Sequence, residues 1–429
     1  MHKLTGNLKI PGDKSISHRA LIFSAISNGK SEIFNLLVSE DTKATIKILK
    51  NLGIKIIKKK DKWIVYGNGT NGFLQPVEAL DAMNSGTSAR TLIGAVSSNP
   101  ITCQFIGDKS LSKRSMSRVT VYLSKLGADI KLAKNNFLPC KITGSSNLIA
   151  QKIIIQKPSA QIKTALIFAG LNIDGKLTII EKIKTRDHTE KLMDFLKIKY
   201  KTRKMKNGSN LIQLRGPYEI VSKNLSIAGD PSSAAFFVVG GLIVPDSNIT
   251  IQNVLLNPTR IEYINVLKKM GGKIKIEKKG KLSGEIYGNI HVKYSKLKGV
   301  RISSKQSPLL IDEYPILSIA ASVAVGQTVM NGLDELRHKE SDRIFSIVSN
   351  LKKAGIKVKS IKNNIHIHGA TEFTNKNCLI KSHDDHRISC SFMILRLVYG
   401  DNLAIDNEKC VSISYPNFKK DLNKLLKRN

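Results

Sequence analysis

The chain repeats itself. A turn residue running into alternating apolar residues recurs six times: Gly29-Lys-Ser-Glu-Ile-Phe-Asn35, Pro100-Ile-Thr-Cys-Gln-Phe-Ile106, Gly175-Lys-Leu-Thr-Ile-Ile-Glu181, Asp246-Ser-Asn-Ile-Thr-Ile-Gln252, Gly326-Gln-Thr-Val-Met-Asn331 and Gly400-Asp-Asn-Leu-Ala-Ile405. Successive starts lie 71, 75, 71, 80 and 74 residues apart in a chain of 429. Self-similarity at a near-constant period marks a fold assembled from copies of one supersecondary unit. Each copy follows a helix-like apolar stretch, at residues 17–27, 88–96, 162–171, 233–243, 315–325 and 387–398. Most copies continue into a second amphipathic stretch closed by a glycine (Gly53, Gly127, Gly271, Gly355), which is a helix C-cap signal. The last copy is expected to end in its helix, over residues 418–427. The unit therefore reads helix, strand, helix, strands. Six such units are too many for one core and suit two α/β domains of three units each.

Charge narrows the partners. Lys and Arg number 69 against 33 Asp and Glu, a formal net charge of +36. The lysines are scattered, and Ile, Asn and Lys are heavily used throughout, which reads as a composition bias rather than a basic stripe. Aromatic residues are only 6% and no RNP-like segment occurs, against a nucleic-acid surface. Such a potential still speeds the capture of small anions. The five cysteines (Cys103, Cys140, Cys378, Cys390, Cys410) form no CxxC pair and are odd in number. Reduced packing thiols are expected, not a disulfide framework or structural zinc. No apolar run reaches the roughly 18–20 residues that span a bilayer. The N-terminus lacks a signal peptide's apolar stretch, so a cytoplasmic protein is expected.

The residues that open the six helices carry the chemistry. They read Pro11-Gly-Asp-Lys-Ser-Ile-Ser-His-Arg19, Met83-Asn-Ser-Gly-Thr-Ser-Ala-Arg90, Lys157-Pro-Ser-Ala-Gln-Ile-Lys163, Ala228-Gly-Asp-Pro-Ser-Ser233, Ile311-Asp-Glu-Tyr-Pro315 and Ser382-His-Asp-Asp-His-Arg387. Ser, Thr, Asp and Asn are N-cap residues, and any one motif alone could be ordinary capping. As a set they sit at equivalent repeat positions, so free N–H groups and helix dipoles should gather on one side of each domain as an anion site. Lys14, Arg19, Arg90, Lys163 and Arg387 would add full charges there. Two further basic clusters fit: Gly107-Asp-Lys-Ser-Leu-Ser-Lys-Arg-Ser-Met116, and Leu336-Arg-His-Lys-Glu-Ser-Asp-Arg343, where an i,i+4 helical spacing would place Lys339 and Arg343 on one face. A metal site built on His383, Asp384, Asp385 and His386 is disfavoured, because a contiguous run at a helix start cannot aim all four at one ion.

At these residues the sequence resembles the 5-enolpyruvylshikimate-3-phosphate synthase family over nearly its whole length. The matching segments are Gly12-Asp-Lys-Ser-Ile-Ser-His-Arg19, Asn84-Ser-Gly-Thr-Ser-Ala-Arg90, Ser159-Ala-Gln161, Gly229-Asp-Pro-Ser-Ser-Ala234, Asp312-Glu-Tyr-Pro315, Arg337-His-Lys-Glu-Ser-Asp-Arg343 and Asp385-His-Arg387. Thr185-Arg-Asp-His-Thr-Glu190 and the Asp-Glu-Tyr-Pro form resemble the family's second bacterial class. The resemblance implies a two-domain inverted α/β barrel, each domain of three βαβαββ units. It places residues 1–12 and 229–429 in one discontinuous domain and 13–228 in the other, with the active site in the cleft between them. It implies transfer of the enolpyruvyl group of phosphoenolpyruvate to the 5-hydroxyl of shikimate 3-phosphate, releasing phosphate, with no metal or organic cofactor. A monomer that binds neither nucleic acid nor membrane is expected.

By the same resemblance, Lys14, Ser15 and Arg19 hold shikimate 3-phosphate, with Ser159, Ala160, Gln161 and Lys339. Lys14 also reaches phosphoenolpyruvate, which Gly86, Arg114, Arg343 and Arg387 bind, since the planar arginine fork suits phosphate and carboxylate. Asp312 takes the hydroxyl proton and Glu340 handles the proton at the methylene carbon; Lys14 completes the catalytic set. Departures are Ala160, where many members carry a second serine, and Ile413, where many carry a lysine. Gly86 leaves room for glyphosate beside the phosphoenolpyruvate position. Two alternatives stay open here. One is the sister UDP-N-acetylglucosamine enolpyruvyl transferase, which carries a reactive cysteine in the loop corresponding to 107–116, where this chain has none. The other is a basic RNA-binding or RNA-end-processing protein on a related fold.

Overall fold

The computed structural model describes residues 2–369 and 377–428. The six helices seen as apolar stretches are Lys14–Ala25, Gly86–Ser97, Ala160–Gly170, Pro231–Ile243, Tyr314–Ser322 and His386–Tyr399. Each begins one to three residues before the apolar stretch that signals it. The motif residues therefore build the first helical turn instead of preceding it. The starts are set by side chains. Asp13 accepts from the Ile16 N–H, Ser85 from Ser88, Ser159 from Ile162, Asp230 from Ser232, and Asp385 from Arg387. Tyr314–Ser322 lacks a side-chain cap bond and has Pro315 in its first turn, where a missing N–H costs nothing.

These helices are apolar nearly all round, and a helix of that kind must be buried. The second helix of each repeat is amphipathic. Gly53, Gly127, Gly271 and Gly355 follow such helices with φ of 86°, 97°, 94° and 79°, the left-handed conformation that closes a helix at little cost to glycine.

Strands complete the unit in one pattern. In the second repeat Leu80–Asp81 runs parallel to Thr102–Ile106, which pairs antiparallel with Phe137–Thr143 and through it with Asp129–Ala133. The third repeat places Lys152–Ile155, Gly175–Glu181, Asn210–Gly216 and Tyr200–Lys204 in the same relation. In the first, the parallel partner of Asn28–Phe34 is Leu225–Ser226, supplied from the far end of the segment. The order is thus βαβαββ, as expected. The sixth repeat ends differently from expectation. Its helix stops at Leu425, and Leu426–Arg428 forms a strand antiparallel to His2–Lys9, with Leu4 opposite Leu426. That partner strand has a free edge, and pairing it satisfies backbone groups that a longer helix would leave exposed.

The chain divides into two compact units. The first comprises residues 1–11, 228–281 and 286–429; the second comprises 12–227 and 282–285. Leu282–Glu285, which the sequence left with its neighbours in the first unit, counts with the second. The reason is specific bonding: Ser283 Oγ accepts from the Ser226 N–H at 2.8 Å, and Glu285 Oε1 lies 2.7 Å from His188 Nδ1.

In the second unit the helices Lys14–Ala25, Gly86–Ser97 and Ala160–Gly170 pack on one another. Phe23 and Phe168 meet edge to face at 4.9 Å. Gly94 lets two of these helices approach closely: a Cβ there would lie 2.3 Å from the Ala165 carbonyl oxygen and 2.5 Å from its Cα. Backbone cannot yield as a side-chain tip can. Gly94→Ala is expected to cost about 1–3 kcal/mol, read from the urea midpoint at unchanged slope.

Candidate active site

In the second unit three helix starts are stitched together by their own first turns. Gln161 Oε1 accepts from Arg90 Nη1 at 3.1 Å, and its Nε2 donates to Thr87 Oγ1 at 3.0 Å, joining the starts at 86 and 160. His18 Nδ1 pairs with Thr45 Oγ1 at 2.7 Å, and Thr45 with Ser88 Oγ at 2.7 Å, joining the starts at 14 and 86. Lys14 Nζ lies 2.8 Å from Asp41 Oδ2. Arg114 Nη2 donates to Asn84 Oδ1 at 2.9 Å and to Ser110 Oγ at 3.0 Å. The side chain of Ser159 is engaged as the N-cap, and Ala160 opens the helix without a hydroxyl. A Cβ on Gly86 would come 2.8 Å from Arg90 Nη1 and push the guanidinium aside.

Arg19 is buried and is held by three acceptors. It donates through Nη1 to the Ser15 carbonyl, through Nη2 to Thr164 Oγ1 and through Nε to Thr189 Oγ1, each at 2.8 Å. Lys163 departs from expectation. It does not join the helix-tip charges: its side chain is fully buried, 3.0 Å from Glu181 Oε2 and 2.7 Å from Glu190 Oε1. Lys14 is the first residue of its helix and Lys163 the fourth, so the two side chains leave their helices at different angles.

Burial holds the His18 imidazole down to about 3; the Asp41 carboxylate opposes that shift, and Lys14 and Arg19 add to it. His18 is therefore neutral in the folded protein, whereas in the unfolded chain it gains a proton near its ordinary 6.5. Stability is lost as pH falls below that ordinary value toward the folded one. The loss from this group reaches about 2 kcal/mol at pH ~5. His18→Asn keeps a hydrogen-bonding group beside Thr45 and cannot titrate. Denaturant unfolding across this range should show a shallower acid loss for the variant, and parallel curves would refute the assignment.

The first unit holds a charge cluster centred on Arg343. Its Nε donates to Asp385 Oδ2 at 2.7 Å and its Nη2 to Glu340 Oε2 at 2.7 Å. Asp312 Oδ1 lies 3.7 Å from Arg343 Nη1 and 3.8 Å from Lys339 Nζ, and its Oδ2 lies 4.0 Å from Arg387 Nη2. Arg387 Nη1 also donates to the Asp312 carbonyl at 2.9 Å. Buried Arg343 Nη1 makes no hydrogen bond among the described residues. Burial works against the charge on Asp385, yet Arg343 outweighs it and holds the carboxyl below the usual carboxylate range. The same three carboxylates outweigh burial at Arg343 and push its guanidinium up.

Two expectations change here. Lys339 and Arg343 do not share a helical face: Lys339 is extended (φ −92°, ψ −157°) between the short helix Asp334–His338 and the helix Arg343–Lys353. They meet at Asp312 through the tertiary fold. Asp312 does not cap its helix; that position is Glu313, which accepts a hydrogen bond from the Ser232 hydroxyl. Arg260 Nη2 backs this contact at 2.9 Å from Ser232 Oγ and 3.2 Å from Asp230 Oδ1. The Asp-His run has divergent aims: Asp385 faces Arg343, and Asp384 accepts from Asn407. Among the described residues no group of three His, Cys, Asp or Glu side chains could hold a metal ion, and no helix is long and apolar enough to cross a membrane.

Asp41, Asp385 and Glu313 were not among the residues singled out for roles. Asp385 and Glu313 stand inside quoted motifs, but Asp41 carries no signal beyond being an acid in a cationic chain.

Two repeat-built α/β units, each gathering three helix starts with cations and paired acids, define an enzyme for small anionic substrates. Comparison with known proteins narrows the class. A profile of the EPSP synthase (3-phosphoshikimate 1-carboxyvinyltransferase) family matches residues 1–422. A 3-phosphoshikimate 1-carboxyvinyltransferase of Caldicellulosiruptor bescii is 43% identical, over 97% of this chain and 95% of its own. One from Sphingopyxis alaskensis is 41% identical, over 97% of this chain and 95% of its own. The solved EPSP synthase of Acinetobacter baumannii superposes with a TM-score of 0.86 at 35% identity, covering all of this chain and 98% of that one. The enolpyruvyl transferase NikO of Streptomyces tendae, at 14% identity and a TM-score of 0.74, shares the fold. This chain belongs to the EPSP synthase family.

Proposed function

We propose that Asp312, Lys339, Glu340, Arg343 and Arg387 of the first unit, with Lys14, Ser15, Arg19, Gly86, Arg114, Ser159, Ala160 and Gln161 of the second, serve one reaction. The chain is a transferase of the shikimate pathway. It moves the enolpyruvyl group of phosphoenolpyruvate to the 5-hydroxyl of shikimate 3-phosphate and releases phosphate. The hydroxyl oxygen adds to C2 of phosphoenolpyruvate while C3 gains a proton; loss of a C3 proton and of phosphate then restores the double bond.

The observation that carries the assignment is the Asp312 carboxylate facing three cations within 4.0 Å. Both substrates bring a phosphate and a carboxylate. As these engage Lys339, Arg343 and Arg387, the cations turn from Asp312, which is released to accept the hydroxyl proton. Glu340 carries the proton to and from C3, and delivering it requires loosening its 2.7 Å pair with Arg343. Lys14 neutralises developing charge. Holding both substrates together supplies ~7–11 kcal/mol of barrier reduction. The protein acts as a cytoplasmic monomer without cofactor.

The UDP-sugar alternative requires a reactive thiol. Cys103, the cysteine nearest that loop, lies buried in Thr102–Ile106, and burial, with Cys140 adding, pushes its thiol up to about 12. The deciding measurement is phosphate release with each acceptor. Release is expected with shikimate 3-phosphate and not with UDP-N-acetylglucosamine; the reverse overturns the proposal, as would salt-sensitive RNA binding without release. Glyphosate should inhibit, since Gly86 has no side chain to displace the Arg90 guanidinium beside it; unchanged turnover at millimolar glyphosate would count against it.

A further inference from the structure

The helix His188–Leu196 opens on three consecutive buried residues, each held by a different contact. The His188 and Glu285 side chains are 0% and 3% exposed and 2.7 Å apart. Thr189 Oγ1 accepts from Arg19 Nε at 2.8 Å and lies 2.6 Å from Thr164 Oγ1, which accepts from Arg19 Nη2. Glu190 accepts from Lys163 at 2.7 Å. Thr164 and Lys163 are neighbours on the helix Ala160–Gly170. Two helix turns are thus joined by an ion pair on one side and by a pair of hydroxyls that together receive one guanidinium.

A guanidinium is a rigid planar fork, so two acceptors at fixed separation define its plane. Thr189 holds the Nε edge of Arg19 while Thr164 and the Ser15 carbonyl hold its two Nη groups, so the plane of the guanidinium depends in part on the start of the helix carrying Thr189. That helix has nine residues and no side-chain cap bond from Asp187. A helix so short owes its position to tertiary contacts. Glu285 supplies one from a hairpin tip, Leu282–Glu285, seated without slack: a Cβ on Gly284 would lie 2.4 Å from the Lys191 carbonyl oxygen.

We propose that Glu285 is a positioning residue for the transfer reaction: through His188 it holds the first turn of the helix His188–Leu196, and through Thr189 it sets the plane in which Arg19 meets shikimate 3-phosphate. The inference rests on the proposed function, and within it on Arg19 being a ligand of shikimate 3-phosphate, as the family resemblance implies. It makes Glu285 act on one substrate of two. Loss of Glu285 leaves His188 without its acceptor, lets the turn shift, and misaligns Arg19 while phosphoenolpyruvate binding stays intact.

The test is a double-mutant cycle on the full chain, by steady-state phosphate release and by calorimetric titration with shikimate 3-phosphate. Glu285→Ala should raise KM for shikimate 3-phosphate about tenfold, the size of one lost charge-assisted hydrogen bond. KM for phosphoenolpyruvate should stay within about twofold. In an Arg19→Ala background Glu285→Ala should add nothing further. Glu285→Gln retains an acceptor for His188 and should recover most of the affinity. Thr189→Val leaves the hairpin alone and should reproduce the same substrate-selective loss, so the proposal stays testable if Glu285→Ala does not fold. A lower melting temperature with unchanged KM for shikimate 3-phosphate overturns it, as does a full additive loss in the Arg19→Ala background. Wild-type affinity in Arg19→Ala alone overturns the reading of Arg19 itself, a result separable from the others.

Discussion

Asp312→Asn should lower kcat for phosphate release by about a thousandfold, within the range for removal of a general base. Asparagine has the same shape and can still receive hydrogen bonds, but it does not take a proton from a hydroxyl. Its neutrality also removes a carboxylate that faces Lys339, Arg343 and Arg387 together. Anionic phosphoenolpyruvate then has less competition for those cations, so its KM should stay level or fall while kcat collapses. This split separates a base from a binding residue, whose loss would raise KM at similar kcat. Glu340→Gln should also lower kcat, while additionally loosening Arg343 by weakening their 2.7 Å pair. Stopped-flow and steady-state phosphate release measure both variants, and turnover within threefold or so of wild type in either would remove that residue from the chemistry.

Lys163→Met should destabilise the protein by about 3–5 kcal/mol, because it leaves two carboxylates in the core without their cation. Glu181 and Glu190 both bond to that ammonium, and Thr185 donates to Glu181. Domains are stable by only ~5–15 kcal/mol, so such a loss should show in yield as well as in the denaturation midpoint. Replacing all three charges by apolar residues should recover much of it, since the cost lies in the unpaired charge rather than in the lost pair. The pH dependence has a definite sign. Burial pushes the Glu190 carboxyl up, with Lys163 opposing. A raised acid favours its neutral form in the folded state, so its contribution is full below the ordinary value of 4.5 and fades as pH rises through the folded value. Glu190→Gln should flatten stability across that interval, and an unchanged profile would assign the dependence to another group.

Lys14 and Lys163 mark the limit of what was legible in the chain. Both stand in capping motifs of equivalent helices, and both read as anion-binding charges. Structure separates them: one at a helix tip beside Asp41, the other inside the core between two glutamates. Lys339 and Arg343 mark the opposite limit. Their supposed helical spacing was wrong, yet both reach Asp312. Glu285 was unreadable, because its partner His188 lies 97 positions away and no local pattern connects them.

The sequence by itself determined the repeat count, the alternation of helices and strands within each copy, and five of the six helix caps. Those features follow from periodicity, capping and turn chemistry, which act between residues a few positions apart and recur in every copy. Tertiary structure alone decided which cation meets which acid. A charge is satisfied by whatever the fold brings within a few ångströms, and the angle at which a side chain leaves its helix settles that from far along the chain.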